Sequence, residues 1–119
     1  MRIVILDDQP GLANTLAMSL RHAGHTAHGF TDAVEALAAI SEADVLLTDY
    51  HLPGLTGLDV ARRAFEQGWR GSLLLMSGNP RRIAEPLKHP LLQLVMLKPF
   101  DTEELLEAIS LTEETPPSE

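Results

Sequence analysis

The sequence predicts an α/β fold in which a five-stranded parallel sheet is buried between two layers of helices. Two observations carry this. Four apolar runs, Ile3-Val4-Ile5-Leu6, Val45-Leu46-Leu47-Thr48, Leu73-Leu74-Leu75-Met76 and Leu94-Val95-Met96-Leu97, each stop at a polar or charged residue. Uninterrupted runs of this kind are what strands covered on both faces require. Segments with apolar residues at helical spacing lie between them, and parallel strands need such crossovers.

Taken in order, residues 2–7 read as the first strand. Residues 11–23 read as a helix with Leu12, Leu16, Ala17 and Leu20 on one face, and Gly24 is placed to end it. Residues 25–30 alternate weakly through Thr26, His28 and Phe30 and are expected to be an edge strand. Asp32, with Glu35 three residues on, is a capping signal for a helix showing Val34, Leu37 and Ala38 to the core. Residues 44–49 are the clearest strand, followed by a loop through Pro53, Gly54 and Gly57. A helix over about 57–67 shows Val60, Ala61, Ala64 and Phe65 before Gly68. Residues 72–77 and 93–97 are the remaining strands. Between them, 80–88 have a poor helical pattern interrupted by Pro86, which lacks a backbone donor. Asp101 with Glu104 opens a last helix to about Ser110. The expected domain is 1–111, and the acidic, Pro-containing stretch 112–119 is expected to be a tail or the start of a linker.

Composition narrows the function. The chain of 119 residues suffices for one domain with one core. It has no Cys, which excludes disulfides and thiolate metal sites. Its formal charge of −8 argues against nonspecific nucleic-acid binding, which depends on Lys and Arg neutralising phosphates. No apolar run is long enough to span a membrane and the chain begins on a strand, so no signal peptide and a cytoplasmic location are expected.

The residues that end the apolar runs are Asp7 and Asp8, Asp49, Ser77, and Lys98. Parallel strands bring their C-terminal ends together, where open α/β sheets bind ligands. Three carboxylates there suit a hard divalent cation such as Mg²⁺, or Mn²⁺, one of the Asp7–Asp8 pair binding directly and the other through water. Lys98 can pair with a phosphoryl oxygen and Ser77 can donate a hydrogen bond to it, while the cation screens a carboxylate from an anionic donor. His22, His25, His28, His51 and His89 show no metal-ligand spacing and are expected to be surface or packing residues.

With Asp7-Asp8, Asp49-Tyr50-His51-Leu52-Pro53-Gly54-Leu55-Thr56-Gly57, Met76-Ser77-Gly78 and Lys98-Pro99-Phe100 in place, residues 2–110 resemble the receiver domain of two-component response regulators. The resemblance implies a flavodoxin-like (βα)5 sandwich of strand order 2-1-3-4-5. It implies Asp49 as phosphoacceptor, Asp7 and Asp8 as the acidic pair with Asp8 the direct Mg²⁺ ligand, and the backbone carbonyl of His51 as a further ligand. It also implies Ser77 as the switch hydroxyl, Lys98 as the phosphate-pairing lysine, and a cis Lys98–Pro99 bond. The partners it implies are a histidine kinase or histidine phosphotransfer protein and an output domain or protein, with no direct nucleic acid or membrane contact, the domain being a monomer or weak dimer. His51 and Asn79 occupy positions that influence acyl-phosphate lifetime in this family.

Two features depart from the family. The position three residues before the lysine is Val95 rather than an aromatic ring, and the fourth helix segment carries Pro86 between Pro80 and Pro90. Intact phosphoryl chemistry with atypical output is therefore expected. A phosphorelay carrier or phosphate sink is the alternative. A turnover enzyme is not expected: a haloacid dehalogenase-like phosphatase would have a second Asp two residues after Asp7, where Gln9 stands.

Overall fold

The computed structural model describes residues 1–114. The strands β1 (Arg2–Leu6), β2 (Thr26–Phe30) and β3 (Val45–Asp49) alternate with helices α1 (Pro10–His22) and α2 (Ala33–Ala38). A short antiparallel pair, β4 (His51–Leu52) and β5 (Leu55–Thr56), precedes α3 (Gly57–Glu66). Then come β6 (Ser72–Ser77), β7 (Leu92–Leu97) and α4 (Thr102–Glu114). The main sheet is wholly parallel and runs β2-β1-β3-β6-β7. Numbered among its own five strands, this is the expected 2-1-3-4-5.

Alternate residues along each strand feed two separate cores, because successive side chains point to opposite faces. Ile3, Ile5, Val45, Leu47, Leu74 and Met76 pack beneath α1 and α4, against Leu16, Leu20, Leu105 and Ile109. Val4, Leu6, Leu46, Leu73 and Leu75 pack on the other face, against Ala36, Leu58, Val60, Ala61 and Trp69. Both faces of each central strand must be apolar, which explains the unbroken runs.

Local signals operate as their chemistry dictates. Asp32 accepts the Glu35 N–H, Thr56 and Asp59 form a reciprocal capping box, and Asp101 accepts the Glu104 N–H at 2.8 Å. Gly24 and Gly68 follow α1 and α3 with φ of 96° and 100°, a region open to glycine.

Three expectations are revised. In α2, Val34 is 71% exposed and Ala38 is also exposed; Ala36 is buried and Leu37 partly so. The helix has six residues, and the following turn at Ile40–Glu42 carries the next buried side chain, Ile40. The fourth connection has no α-helix, only a single 3₁₀ turn at Pro80–Arg82, consistent with three prolines that cannot donate within a helix. Finally, α4 extends through residues 112–114, with Thr112 buried and its hydroxyl donating to the Ile109 carbonyl. The expected tail residues 115–119 lie outside the described residues.

Candidate functional site

Parallel register places the ends of β1, β3, β6 and β7 along one edge of the sheet. Asp7 follows β1 and is wholly buried, Asp49 ends β3 at 6% exposure, and Asp8 is exposed. The strand stops at Leu6, so the two neighbouring acids escape the strict alternation of a strand. Carboxylate oxygens of Asp7, Asp8 and Asp49 lie within 4.8 Å of one another.

Lys98, just past β7, joins two of them. Its ammonium donates to Asp7 Oδ2 at 2.7 Å and to Asp49 Oδ2 at 3.1 Å. Burial disfavours this ammonium, but the hydrogen bonds and negative charges of Asp7 and Asp49 outweigh that effect and raise its pKa above the ordinary value. Its position is set by the backbone: the Lys98 N–H donates to the Ser77 carbonyl at 2.8 Å, and the Lys98–Pro99 bond is cis.

The remaining oxygens divide unevenly. Asp7 Oδ1 accepts the Gln9 N–H at 2.9 Å and Asp49 Oδ1 accepts the His51 N–H at 3.3 Å. No hydrogen bond or ion pair engages the Asp8 carboxylate among the described residues. Three converging carboxylates, one without a protein partner, fit a hard cation that keeps part of its water. Neither Cys nor a histidine ring joins the cluster, so the donor set does not suit a softer metal.

The glycine closing the loop after Asp49 has a specific role. A Cβ on Gly57 would run into the Asp49 carbonyl oxygen and meet the Thr48 side chain at 3.1 Å. Only glycine lets the start of α3 approach this closely to the end of β3. Gly54, at φ 77°, turns the chain between β4 and β5 after Pro53.

Ser77 is fully buried at the end of β6, and its hydroxyl bonds to neither the Lys98 ammonium nor the Asp49 carboxylate. Its hydroxyl lies 2.8 Å from His51 Nε2 and accepts the Asn79 N–H at 3.2 Å. The His51 ring thus belongs to the site, contrary to its expected surface or packing role. His25 and His89 do have such roles: His25 Nδ1 lies 3.1 Å from the terminal amine of Met1, and His89 stands edge-on to Phe65.

A second polar group was not foreseen. Tyr50 follows Asp49, is buried, and donates its hydroxyl to Glu85 Oε2 at 2.6 Å. Glu85 Oε1 takes Arg62 Nη2 at 2.7 Å, and Arg62 also reaches Asp59 at 2.9 Å. Burial, reinforced by the bond to Glu85 and its charge, pushes the Tyr50 pKa up to about 12. The Arg62 hydrogen bond first, then that of Tyr50, holds Glu85 below the usual carboxylate value. This group pins the fourth connection to α3 and to the residue after Asp49. It depends on the path of residues 80–90, for which the sequence has no periodic signal.

Comparison with known proteins agrees with this geometry. The family model of the response regulator receiver domain matches residues 3–110. The two-component response regulator PhoP of Pseudomonas aeruginosa is 34% identical over 109 residues, covering 88% of this chain and 48% of that protein. The DNA-binding response regulator MtrA of Mycolicibacterium smegmatis is 41% identical over 63 residues, 51% of this chain and 28% of that protein. The chain thus spans less than half the length of these two relatives. Among solved structures, the signal receiver domain of an HD domain-containing protein from Pseudomonas fluorescens Pf-5 aligns with a TM-score of 0.81 and 28% identity, covering 95% of this chain and 94% of that one. Response regulator TrrA of Thermotoga maritima, solved with Mg²⁺ and BeF, aligns at 0.79 and 23% identity, over 92% of this chain and 96% of that one, and shares the fold. A parallel 2-1-3-4-5 sheet, an acidic cluster bridged by a lysine at its C-terminal edge, and a family match over 3–110 lead to one conclusion: this chain belongs to the response regulator receiver domain family.

Proposed function

We propose that Asp49 accepts a phosphoryl group from a phosphohistidine of a histidine kinase or histidine phosphotransfer protein, in a Mg²⁺-dependent reaction. The observation that carries this is the convergence of Asp7, Asp8, Asp49 and Lys98 on one point of the sheet edge. In the reaction, an Asp49 carboxylate oxygen attacks phosphorus, the P–N bond to the donor imidazole breaks, and that nitrogen recovers a proton from solvent. The product is an acyl phosphate. Lys98 moves from carboxylate to phosphoryl oxygen, and the buried Ser77 hydroxyl donates to another. Asp7, Asp8, Asp49 and the His51 backbone carbonyl would hold Mg²⁺, or Mn²⁺. The ion would screen the carboxylate from the incoming anion and offset charge developing on the transferred group. Such a domain is modified and hydrolysed back; it is a signalling acceptor of the cytoplasm and not a turnover enzyme on an outside substrate.

Output differs from the family pattern. Val95 is stiff at χ1 and has no ring to rotate, and the element after β6 is a single 3₁₀ turn and not an α-helix. These two features also favour a second reading, a phosphorelay carrier or phosphate sink, in which chemistry matters more than shape change. The partners of the wider signalling chain, an output domain or a separate protein, follow from either reading.

Incubation with acetyl phosphate and Mg²⁺, followed by intact-protein mass spectrometry, tests the chemistry. One phosphoryl group is expected, lost in Asp49→Asn and in chelator. An unmodified wild type, or modification that survives Asp49→Asn, overturns the assignment. A change of oligomeric state or partner affinity on modification then marks a switch, and its absence a carrier.

A further inference from the structure

The Ser77 hydroxyl has one proton to give and two lone pairs. The Asn79 N–H occupies one lone pair. Among the described residues, the acceptor in hydrogen-bonding geometry for the proton is His51 Nε2, at 2.8 Å. A buried hydroxyl with nothing to donate to forfeits a hydrogen bond. The 2.8 Å contact fits either direction of donation; donation from Ser77, with the ring proton on Nδ1, is the one that uses the hydroxyl proton.

We propose that His51 is a positioning residue that holds the Ser77 hydroxyl proton away from Asp49 until a tetrahedral anion occupies the site. This rests on the phosphoacceptor reading above. One proton and two competing acceptors make Ser77 a two-state element: it donates to the imidazole or to the anion. The anion wins because hydrogen bonds to charged acceptors are about twice as strong as neutral ones. Gaining that bond requires giving up the one to His51, so the imidazole opposes binding of the anion by the strength of one hydrogen bond.

The arrangement also supplies a ring where Val95 supplies none. The His51 ring stands edge-on to Tyr50, centroids 5.1 Å apart at 79°. Tyr50 in turn grips Glu85 in the connection that lacks an α-helix. Release of His51 by Ser77 thus frees a ring packed against the anchor of residues 80–90.

Mg²⁺-dependent binding of beryllofluoride, measured by calorimetry, tests the proposal. Every substitution at position 51 leaves its backbone carbonyl in place. His51→Leu should bind about fivefold more tightly than wild type, the scale of one net hydrogen bond. His51→Gln, whose amide oxygen can accept the Ser77 proton, should restore the wild-type affinity. In a Ser77→Ala background, His51→Leu should produce no tightening. Unchanged or weaker binding in His51→Leu overturns the proposal, as does the same tightening without the Ser77 hydroxyl. A wild type that binds no beryllofluoride overturns the phosphoacceptor reading as well. A wild type that binds it, with His51→Leu indistinguishable, overturns the role of His51 alone.

Discussion

Asp8→Asn should stabilise the metal-free protein and remove most of its response to Mg²⁺. The carboxylates of Asp7, Asp8 and Asp49 lie within 4.8 Å of one another, and one ammonium, Lys98, bridges Asp7 and Asp49. Asp8 therefore faces two negative charges and one positive, close to one uncompensated repulsion. Two unit charges at that separation interact by ~0.9 kcal/mol in a water-like dielectric and ~3.5 kcal/mol at an effective dielectric of 20. Asp8 is exposed, which puts it near the lower limit, and the expected gain is about 1 kcal/mol. Asparagine keeps the shape and removes the charge. Urea unfolding at neutral pH in chelator should then show a midpoint raised by about 0.5 M, for a slope of about 2 kcal/mol/M. Excess Mg²⁺ stabilises the wild type by mass action on the folded state, and the variant far less, because it has lost its unpartnered ligand. The order of stability should thus converge or invert between the two buffers. A variant less stable than wild type in chelator, or one that gains as much from Mg²⁺, refutes the reasoning.

Gly57→Ala should cost about 1–3 kcal/mol in denaturant unfolding, as overpacking against backbone does, because its Cβ has no room beside the Asp49 carbonyl. Tyr50→Phe should lower stability by about 1.5–3 kcal/mol at neutral pH, the range for a hydrogen bond to a charged partner, with the loss read from thermal or urea unfolding. The folded Tyr50 pKa of about 12 exceeds the ordinary 10.0, so its stabilisation is complete below pH 10.0 and fades as pH rises toward 12. The gap between wild type and Tyr50→Phe should narrow over that interval. His89 behaves in the opposite sense: burial lowers its pKa below 6.5, a hydrogen bond with the Ala61 backbone opposes this, and the charge of Arg62 adds a smaller lowering, while its Nδ1 accepts the Leu91 N–H at 3.1 Å. The unfolded chain therefore takes up the proton first. Stability should fall as pH drops below 6.5, and fall less in His89→Gln, measured by urea unfolding across that range.

The parallel strands and the helix starts were legible because their causes are local or repeat along the chain, whereas the strand order came from the family resemblance. A strand buried on both faces has to be apolar throughout, and Asp32 and Asp101 satisfy backbone donors within three residues. The acidic cluster and Lys98 were legible for a related reason: parallel topology carries every strand end to the same edge. Other features depend on distant segments. Helical spacing selected Val34, Leu37 and Ala38 as core residues, but α2 is too short for spacing to fix its rotation, and packing beneath it kept Leu37 and chose Ala36 over Val34 and Ala38. The 3₁₀ turn after β6, the grip of Tyr50 on Glu85, and the His51–Ser77 bond join residues 35 and 26 positions apart in the two side-chain contacts. No periodicity encodes such pairs. They form only when the folded sheet brings the loops after β3 and β6 together, so tertiary structure alone decided which partner holds the Ser77 hydroxyl.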